Sequence, residues 1–429
     1  MYISNIGLIS KKLENLNSQF PAQDMLVQTG QLFQFGSGLY SYGHIPFLLK
    51  QKIHQVIEKV LKKYNCALIS LPVLQPEAIW QKSGRLERYV QEDVMFRVLT
   101  ENGNYCLAPT AEEAVVEFAN ARLQSHKQLP VTFFQIGEKF RNELRARGFL
   151  LRSKSFDMMD AYSFGRNKED LDKEYENMKK AYIEIFEELG LNVQPVGADS
   201  GSIGGAKSEE FMCLSEIGED NILFDPKTGT AINTELLERS DAEEYLKTYY
   251  GIESTKGLQT KKAVELGHIF QLGDKYSKSM NATFVDKDGV QKNFVMGCYG
   301  IGVSRTLAMV YEANALKDQN GKFAGVSLPV NIAPYKLCII SKDEESCQKE
   351  AKKVYEKLQK AGVEVLFDDR EDLSIGARIK DTKLLGVPFV TVFGNTLQEG
   401  FVEIEETKTG EKKKVALADY VKAVLSLTK

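Results

Sequence analysis

Residues 140–156, FRNELRARGFLLRSKSF, gather Arg141, Arg145, Arg147, Arg152 and Lys154 around a single acid, Glu143. On an extended segment Arg141, Glu143 and Arg145 share a face, because strand side chains alternate with period two. A turn over 146–149 would return the chain with Arg152, Lys154, Phe156, Met158 and Asp160 in the opposite parity over the same floor. Guanidinium groups fork phosphate oxygens, a carboxylate accepts from an adenine amino group, and an aromatic ring stacks on a base. The stretch reads either as a nucleotide floor or as a solvated surface hairpin with Phe156 in the core.

Two further stretches carry polar residues at helix starts. In LAPTAEEAVVEFA (107–119), Thr110 and Glu113 have capping-box spacing, which leaves Glu112 as a second acid in the first turn. A hydroxyl and a carboxylate presented together could instead hold a ligand's ammonium group. In GCYGIGVSRTLAMVYEA (297–313), Gly300 and Gly302 stand in a G-x-G frame, but Arg305 occupies the place of the third glycine of a dinucleotide fingerprint. Small residues there let the backbone approach something flat, with Arg305 emerging toward it; a glycine-rich turn with a solvated Arg is the alternative.

The elements that must position these residues follow from periodicity. FLLKQKIHQVIEKVLKKYN (47–65) predicts a helix running into a buried strand, CALISLPVLQP (66–76). FDMMDAYSF (156–164) predicts a strand, and 167–190 an amphipathic helix stopped by Gly190. Around 321–336, Gly321, Gly325, Pro329 and Pro334 mark a linker. Beyond it strand and helix alternate through 336–394, the rhythm of a small α/β domain with a largely parallel sheet. Two domains are expected, 1–325 and 326–429, the first an α+β body around an antiparallel sheet flanked by helices.

Composition narrows the function classes. A formal charge of −4 over 429 residues argues against sequence-independent coating of DNA but leaves room for a local RNA-contacting surface. No apolar run approaches the ~18 residues that span a bilayer, and the first twenty residues lack a leader pattern, so a cytoplasmic protein is expected. Six cysteines without a CxxC pair and only four histidines argue against a disulfide framework, a zinc knuckle or a His-rich metal site.

Together and in this order, these pieces resemble the three signature motifs of the class II aminoacyl-tRNA synthetases, most closely the bacterial-type prolyl branch. GSGLYSYG and LPVLQPEAIWQKSGR resemble the region of motif 1, FRNELRARGFLLRSKSFDMMDAYSF motif 2, and MGCYGIGVSR motif 3. APTAEE, ADSGSIGG and ELGHIFQLGDKYS are similar to segments specific to that branch, and LFDDREDLSIGARIKDTKLLGVPF resembles its anticodon-binding domain. The resemblance implies a dimeric class II catalytic domain joined to a C-terminal α/β anticodon-binding domain. It implies activation of L-proline with ATP and Mg²⁺, then transfer to tRNA(Pro).

Carried over by position, Arg141 would bridge the α-phosphate and the proline carboxylate, Glu143 would face the adenine amino group, and Phe156 would stack on adenine. Arg305 would cover the other side of the nucleotide and Arg152 would help at the phosphates. Thr110 and Glu112 would take the proline nitrogen, with His268 and Phe270 walling the ring pocket. Arg145 and Arg147 would meet the tRNA acceptor end. Asp369 and Arg370, beside Asp368, are anticodon candidates, though a charged turn at a strand end explains them equally well.

Some positions depart from the family pattern: Ala108 and Ala111 alter the usual G-P-T-H-E-E, the loop reads RARGFLLR, and Ser155 stands where an acid commonly precedes the stacking Phe. Many bacterial relatives insert an editing domain between motifs 2 and 3, whereas Phe211 to His268 spans only 57 positions (268 − 211), below the ~100–150 residues of a typical domain. Cis-editing of alanyl-tRNA is therefore not expected, and a separate editing protein is. The rival readings are a threonyl or glycyl ligase, against which the prolyl-branch segments speak, and a catalytically silent paralogue, which would have no physical need of Arg141, Glu143 and Arg305.

Overall fold

A computed structural model describes residues 1–428 except Ser18, Ser202 and Lys227. The chain forms two compact units, one of Met1–Ile53, Gly148–Leu150 and Leu307–Lys429, the other of His54–Arg147 and Leu151–Thr306.

The second unit is built on a nine-stranded sheet. Its centre is a run of long antiparallel strands, Gln259–Gly273, Val295–Gly302, Ser155–Gly165 and Val131–Phe140. Ala67–Leu68 closes one edge in parallel, and Lys207–Leu214 pairs antiparallel with Gln259–Gly273. The predicted strand at 156–164 and helix at 167–190 are present as Ser155–Gly165 and Lys168–Glu188, the helix capped by Asn167 and followed by Gly190 at φ 72°. That helix covers one sheet face: Tyr182 packs its ring 4.8 Å from that of Phe211, and a Cβ on Gly267 would come within 2.9 Å of Tyr182. A glycine is required where helix and strand approach so closely.

The interval between Phe211 and His268 extends this sheet. Short strands Asp220–Phe224 and Ala231–Asn233 join it, and helix Ala242–Tyr250 follows. Ile232, Leu236, Tyr245, Leu246 and Ile252 form a small core of their own.

Residues 66–76 depart from the expected single buried strand. They form two short strands, Ala67–Leu68 and Leu74–Pro76, in different sheets, with both leucines nearly half exposed. Pro72 lies between them and has no N–H to give a ladder, so the segment cannot run on as one strand.

In the other unit, Val365–Asp368, Leu337–Ser341 and Phe389–Phe393 are parallel neighbours, continued antiparallel by Phe401–Glu406 and Lys412–Ala416. Helices Glu345–Lys360 and Ile375–Leu384 lie between the parallel strands in sequence, as the alternation predicts. The stretch expected as a linker contains a strand, Phe323–Val326, paired with Ala315–Lys317. Gly325 sits there at φ 130°, and a Cβ would lie 2.8 Å from the Lys383 carbonyl, so the backbone needs both the freedom and the space of glycine.

Candidate active site

The face of the nine-stranded sheet away from helix Lys168–Glu188 is fixed by register, and its middle is buried with Ala114, Val115 and Ala119 of helix Glu112–Asn120. Residues paired across antiparallel strands point to the same side. Lys139 pairs with Phe156, Gln135 with Asp160, Asp160 with Gly300, Gly300 with His268, Cys298 with Phe270, and His268 with Glu210. One face therefore carries Phe156, Met158, Asp160, Tyr162, Cys298, Gly300, His268, Phe270 and Glu210. Asp160 holds the buried Lys139 at 2.7 Å and accepts from Gln135 and Tyr162, which stiffens the middle of this floor.

The basic segment behaves differently from the parity expectation. The strand ends at Phe140, so Glu143 and Arg145 lie in a loop and parity does not govern them. Arg141 keeps the strand register through its N–H bond to the Lys154 carbonyl. Its guanidinium stands 5.4 Å from the Phe156 ring centre and donates from Nε to the Pro109 carbonyl at 3.1 Å. Glu143 is half-buried and has no ion pair among the described residues. Arg147 and Arg152 both reach Glu219, at 2.7 and 3.5 Å, while Arg145 is exposed.

At the head of helix Glu112–Asn120 the capping box does not form. Ala111 is the N-cap and makes no side-chain cap bond. Thr110 donates instead to Glu112 Oε2 at 2.7 Å, and Glu113 is drawn to Ser83 and Arg85. Arg85 also meets Glu112 at 2.9 Å, and the Cys298 thiol donates to the other Glu112 oxygen at 3.3 Å. Burial works to raise the Glu112 carboxyl, but Arg85 and the Thr110 hydroxyl hold it below the usual range. Burial and the Glu112 charge push Glu113 up despite the same Arg85.

Across the floor, His268 stacks on Phe270 with ring centres 3.9 Å apart. Its Nδ1 lies 3.5 Å from Glu265 and 3.6 Å from Glu210, and its buried Nε2 has no hydrogen-bond partner among the described residues. Glu265 owes its direction to a bulge: Gly267 pairs with Phe211 but Glu265, not Leu266, pairs with Met212. The extra residue turns Glu265 onto the face of His268. Arg305, third in helix Val303–Ala313, donates to Glu265 at 2.8 Å and to the Leu151 carbonyl at 3.0 Å. Burial tends to raise Glu265, yet His268 and Arg305 bring it well below its ordinary value; Glu210, buried and facing Glu265, is pushed well above.

Glu210, Glu265 and His268 present ligand atoms within 4.8 Å of one another. Two carboxylates fit a hard, oxygen-preferring divalent ion such as Mg²⁺, which would compete with Arg305 and His268 for Glu265 and with Asn233, donating at 3.0 Å, for Glu210. Arg85, Glu210, Glu265 and Cys298 were not singled out from sequence. Glu265 had a usable signal, three residues before His268, but the bulge that lets both face one side is a property of the pairing. Glu210 and Arg85 reach the site from distant segments and carry no local signal.

In the other unit, Asp369 accepts from Ser4 N and Oγ, at 3.1 and 2.6 Å. Arg370 is neutralised by Asp368 and Asp381 at 2.7 and 2.8 Å.

A family model for the "tRNA synthetase class II core domain (G, H, P, S and T)" matches residues 96–314, and one for an "Anticodon binding domain" matches 336–427. The proline–tRNA ligase of Sulfurimonas denitrificans is 35% identical, with 96% of each chain covered. That of Rickettsia bellii is 32% identical over 96% of this chain and 95% of its own. The Nitratiruptor enzyme is 31% identical over 572 aligned positions covering 99% of both chains. Among solved structures, prolyl-tRNA synthetase from Cryptosporidium parvum complexed with L-proline and AMP superposes with a TM-score of 0.74 at 16% identity, over 99% of this chain and 77% of that one. A floor of paired strands with Arg141 above Phe156, acids at a helix head and Arg305 opposite is thus found in a chain that matches these relatives along nearly its whole length. The chain belongs to the proline–tRNA ligase family of class II aminoacyl-tRNA synthetases.

Proposed function

We propose that this chain is a proline–tRNA ligase that activates L-proline with ATP and then esterifies tRNA(Pro). The observation that carries the reading is the convergence on one sheet face of Arg141, stacked beside Phe156, with the Thr110–Glu112 pair and Arg305. The proline carboxylate attacks the α-phosphorus in line and pyrophosphate leaves, so the chain's task is positioning and charge neutralisation. Arg141 bridges carboxylate and α-phosphate, Arg305 and Arg152 neutralise the outer phosphates, and Glu143 accepts from the adenine amino group while Phe156 stacks on the ring. Thr110 and Glu112 take the proline nitrogen, and His268 with Phe270 walls the pyrrolidine ring. No protein nucleophile is required. Bound with ATP, Mg²⁺ would supply charge neutralisation and polarisation of phosphate oxygens, with Glu210 and Glu265 as its carboxylate holders.

We further infer a catalytic domain over 1–325 and an anticodon-binding domain over 326–429, a division supported by the two family matches at 96–314 and 336–427. Arg145 and Arg147 serve the acceptor end of the tRNA, and Asp369 and Arg370 the anticodon, the last two only after giving up their present partners. A homodimer is supported by the hairpin Leu32–Gly36/Leu39–Tyr42, whose Phe33 and Phe35 are 58% and 76% exposed. Cytoplasmic location fits a translation enzyme in which no described helix is long and apolar enough to cross a membrane. The Nitratiruptor alignment is 143 positions longer than this chain (572 − 429), so that relative carries segments with no counterpart here, which supports the lack of an editing insertion; editing, where needed, then falls to a separate protein.

Amino-acid-dependent ATP–pyrophosphate exchange across the twenty amino acids tests the reading. Exchange with proline, weaker exchange with alanine, and loss in Arg141→Ala are expected. Exchange with no amino acid would favour the silent paralogue.

A further inference from the structure

The buried cluster behind the helix head contains more than the imino-binding pair requires. Arg85 is 5% exposed and both Glu112 and Glu113 are fully buried. A single nitrogen of Arg85, Nη1, serves both acids, at 2.9 Å to Glu112 and at 3.2 and 3.3 Å to the two Glu113 oxygens. The guanidinium is boxed by the rings of Trp80, Tyr89 and Tyr276, at 5.1, 4.7 and 5.3 Å, and bonded to the Tyr89 hydroxyl. Ser83 donates to Glu113 at 2.7 Å. One guanidinium thus stands against two carboxylates in a water-poor box, where an unmatched charge is costly.

We propose that Glu113, acting through Arg85, is a positioning residue that sets the charge of the proline subsite. The trio Arg85, Glu112 and Glu113 holds one negative charge in excess when both acids are ionised, and the ring ammonium of proline completes the neutral set at Glu112. This deepens the ligase reading and rests on Glu112 receiving the proline nitrogen. With Glu113 neutral, Arg85 already satisfies Glu112, and an arriving ammonium would leave a buried positive excess. Selection of a cationic nitrogen then depends on a residue that does not touch it.

The charged and titratable groups facing Glu113 are Arg85 and Glu112, with the Cys106 thiol, the Tyr276 phenol and the exposed Lys275 farther out. Burial and Glu112 make Glu113 hold its proton above the usual carboxyl range. An ammonium at Glu112 favours the ionised form of Glu113, so proline affinity should rise with pH while Glu113 titrates.

Glu113→Gln keeps the shape and can still accept from Ser83. In proline-dependent ATP–pyrophosphate exchange it should raise KM for proline by about tenfold or more, with kcat within about threefold and KM for ATP unchanged. The inhibition constant of cyclopentanecarboxylate, which lacks the ammonium, should not move, and Glu113→Asp should restore proline KM toward the parent value. A proline KM unchanged in Glu113→Gln, or equal losses for proline and cyclopentanecarboxylate, would overturn the proposal. Should Glu113→Gln not fold, the parent enzyme decides: proline KM should fall as pH rises above the usual carboxyl range, where Glu113 gives up its proton, and a flat profile refutes the inference. A parent enzyme that exchanges with no amino acid overturns the ligase reading itself, whereas exchange with proline and an unmoved KM in Glu113→Gln removes only the role of Glu113.

Discussion

Arg305 donates from Nη1 to Glu265 Oε2 at 2.8 Å, so the cation assigned to the outer phosphates is held by an acid of the same floor. Its Nε is engaged by the Leu151 carbonyl at 3.0 Å, which fixes the plane of the guanidinium. A triphosphate must compete with Glu265 for the Nη groups while the Nε bond keeps their direction. Arg305→Ala should lower proline-dependent exchange by about 10²–10³-fold, the scale for losing a preorganised charge donor. Arg305→Lys should recover little of this, because one ammonium cannot hold the carbonyl and face phosphates as a planar fork does. Exchange rates of the two variants at saturating proline check both statements.

Phe156 and Arg141 form one surface, guanidinium beside ring at 5.4 Å. Replacing the ring with an aliphatic side chain retains burial but removes the flat face. Phe156→Leu should raise KM for ATP by roughly threefold to tenfold, equivalent to a stacking contribution of about 0.5–1.5 kcal/mol, and leave KM for proline nearly unchanged. Titrating each substrate at saturation of the other separates the two constants.

Glu312 gives a pH dependence that lies outside the active site. Its carboxyl accepts from the backbone N–H groups of Ala22 and Gln23, and burial pushes it up to about 7 despite those bonds. Between an unfolded value of about 4.3 and the folded one, the native chain holds more protons than the unfolded chain. This group's contribution to stability therefore falls as pH rises through that window, by at most about 1.4 kcal/mol per pH unit, and is constant on either side. Thermal melts from pH 4.5 to 8 should show a shallower decline in Glu312→Gln than in the parent.

Gly267 separates the sheet from its helix. An added Cβ would meet Tyr182 at 2.9 Å and the Gly300 carbonyl at 3.1 Å, and the carbonyl cannot swing away. Gly267→Ala should cost about 1–3 kcal/mol, the usual range for overpacking, and appear as a lowered melting temperature. Because Gly300 and His268 are paired on the same strands, exchange activity should decline with it.

What could be read from the sequence was mostly local. Ser155–Gly165 and Lys168–Glu188 follow their hydrophobic periods closely, and the α/β rhythm after residue 336 yields three parallel strands in the expected order. Parity placed Arg141 over the Phe156 face because pairing continues one residue past the strand end, through the bond to Lys154. It did not govern Glu143, where the strand had already stopped. The capping-box spacing at Thr110 was real, but Arg85, distant in sequence, outcompetes the backbone for Glu113. A charge within 4 Å outweighs a local N–H, and no window of sequence contains both partners.

Leu266 decides which side of the sheet receives Glu265. Another apolar residue at this buried position would leave that choice intact, and removing the residue would leave Glu265 two places before His268, on the same face of a regular strand; only a strand straightened with the extra residue kept would turn Glu265 toward the helix side and leave Arg305 and His268 without their shared acid. Strand length here works like a reading frame. A library of single-residue deletions should therefore find this point more forgiving than its paired neighbours, because only loss of the unpaired residue leaves the facing of both flanks unchanged.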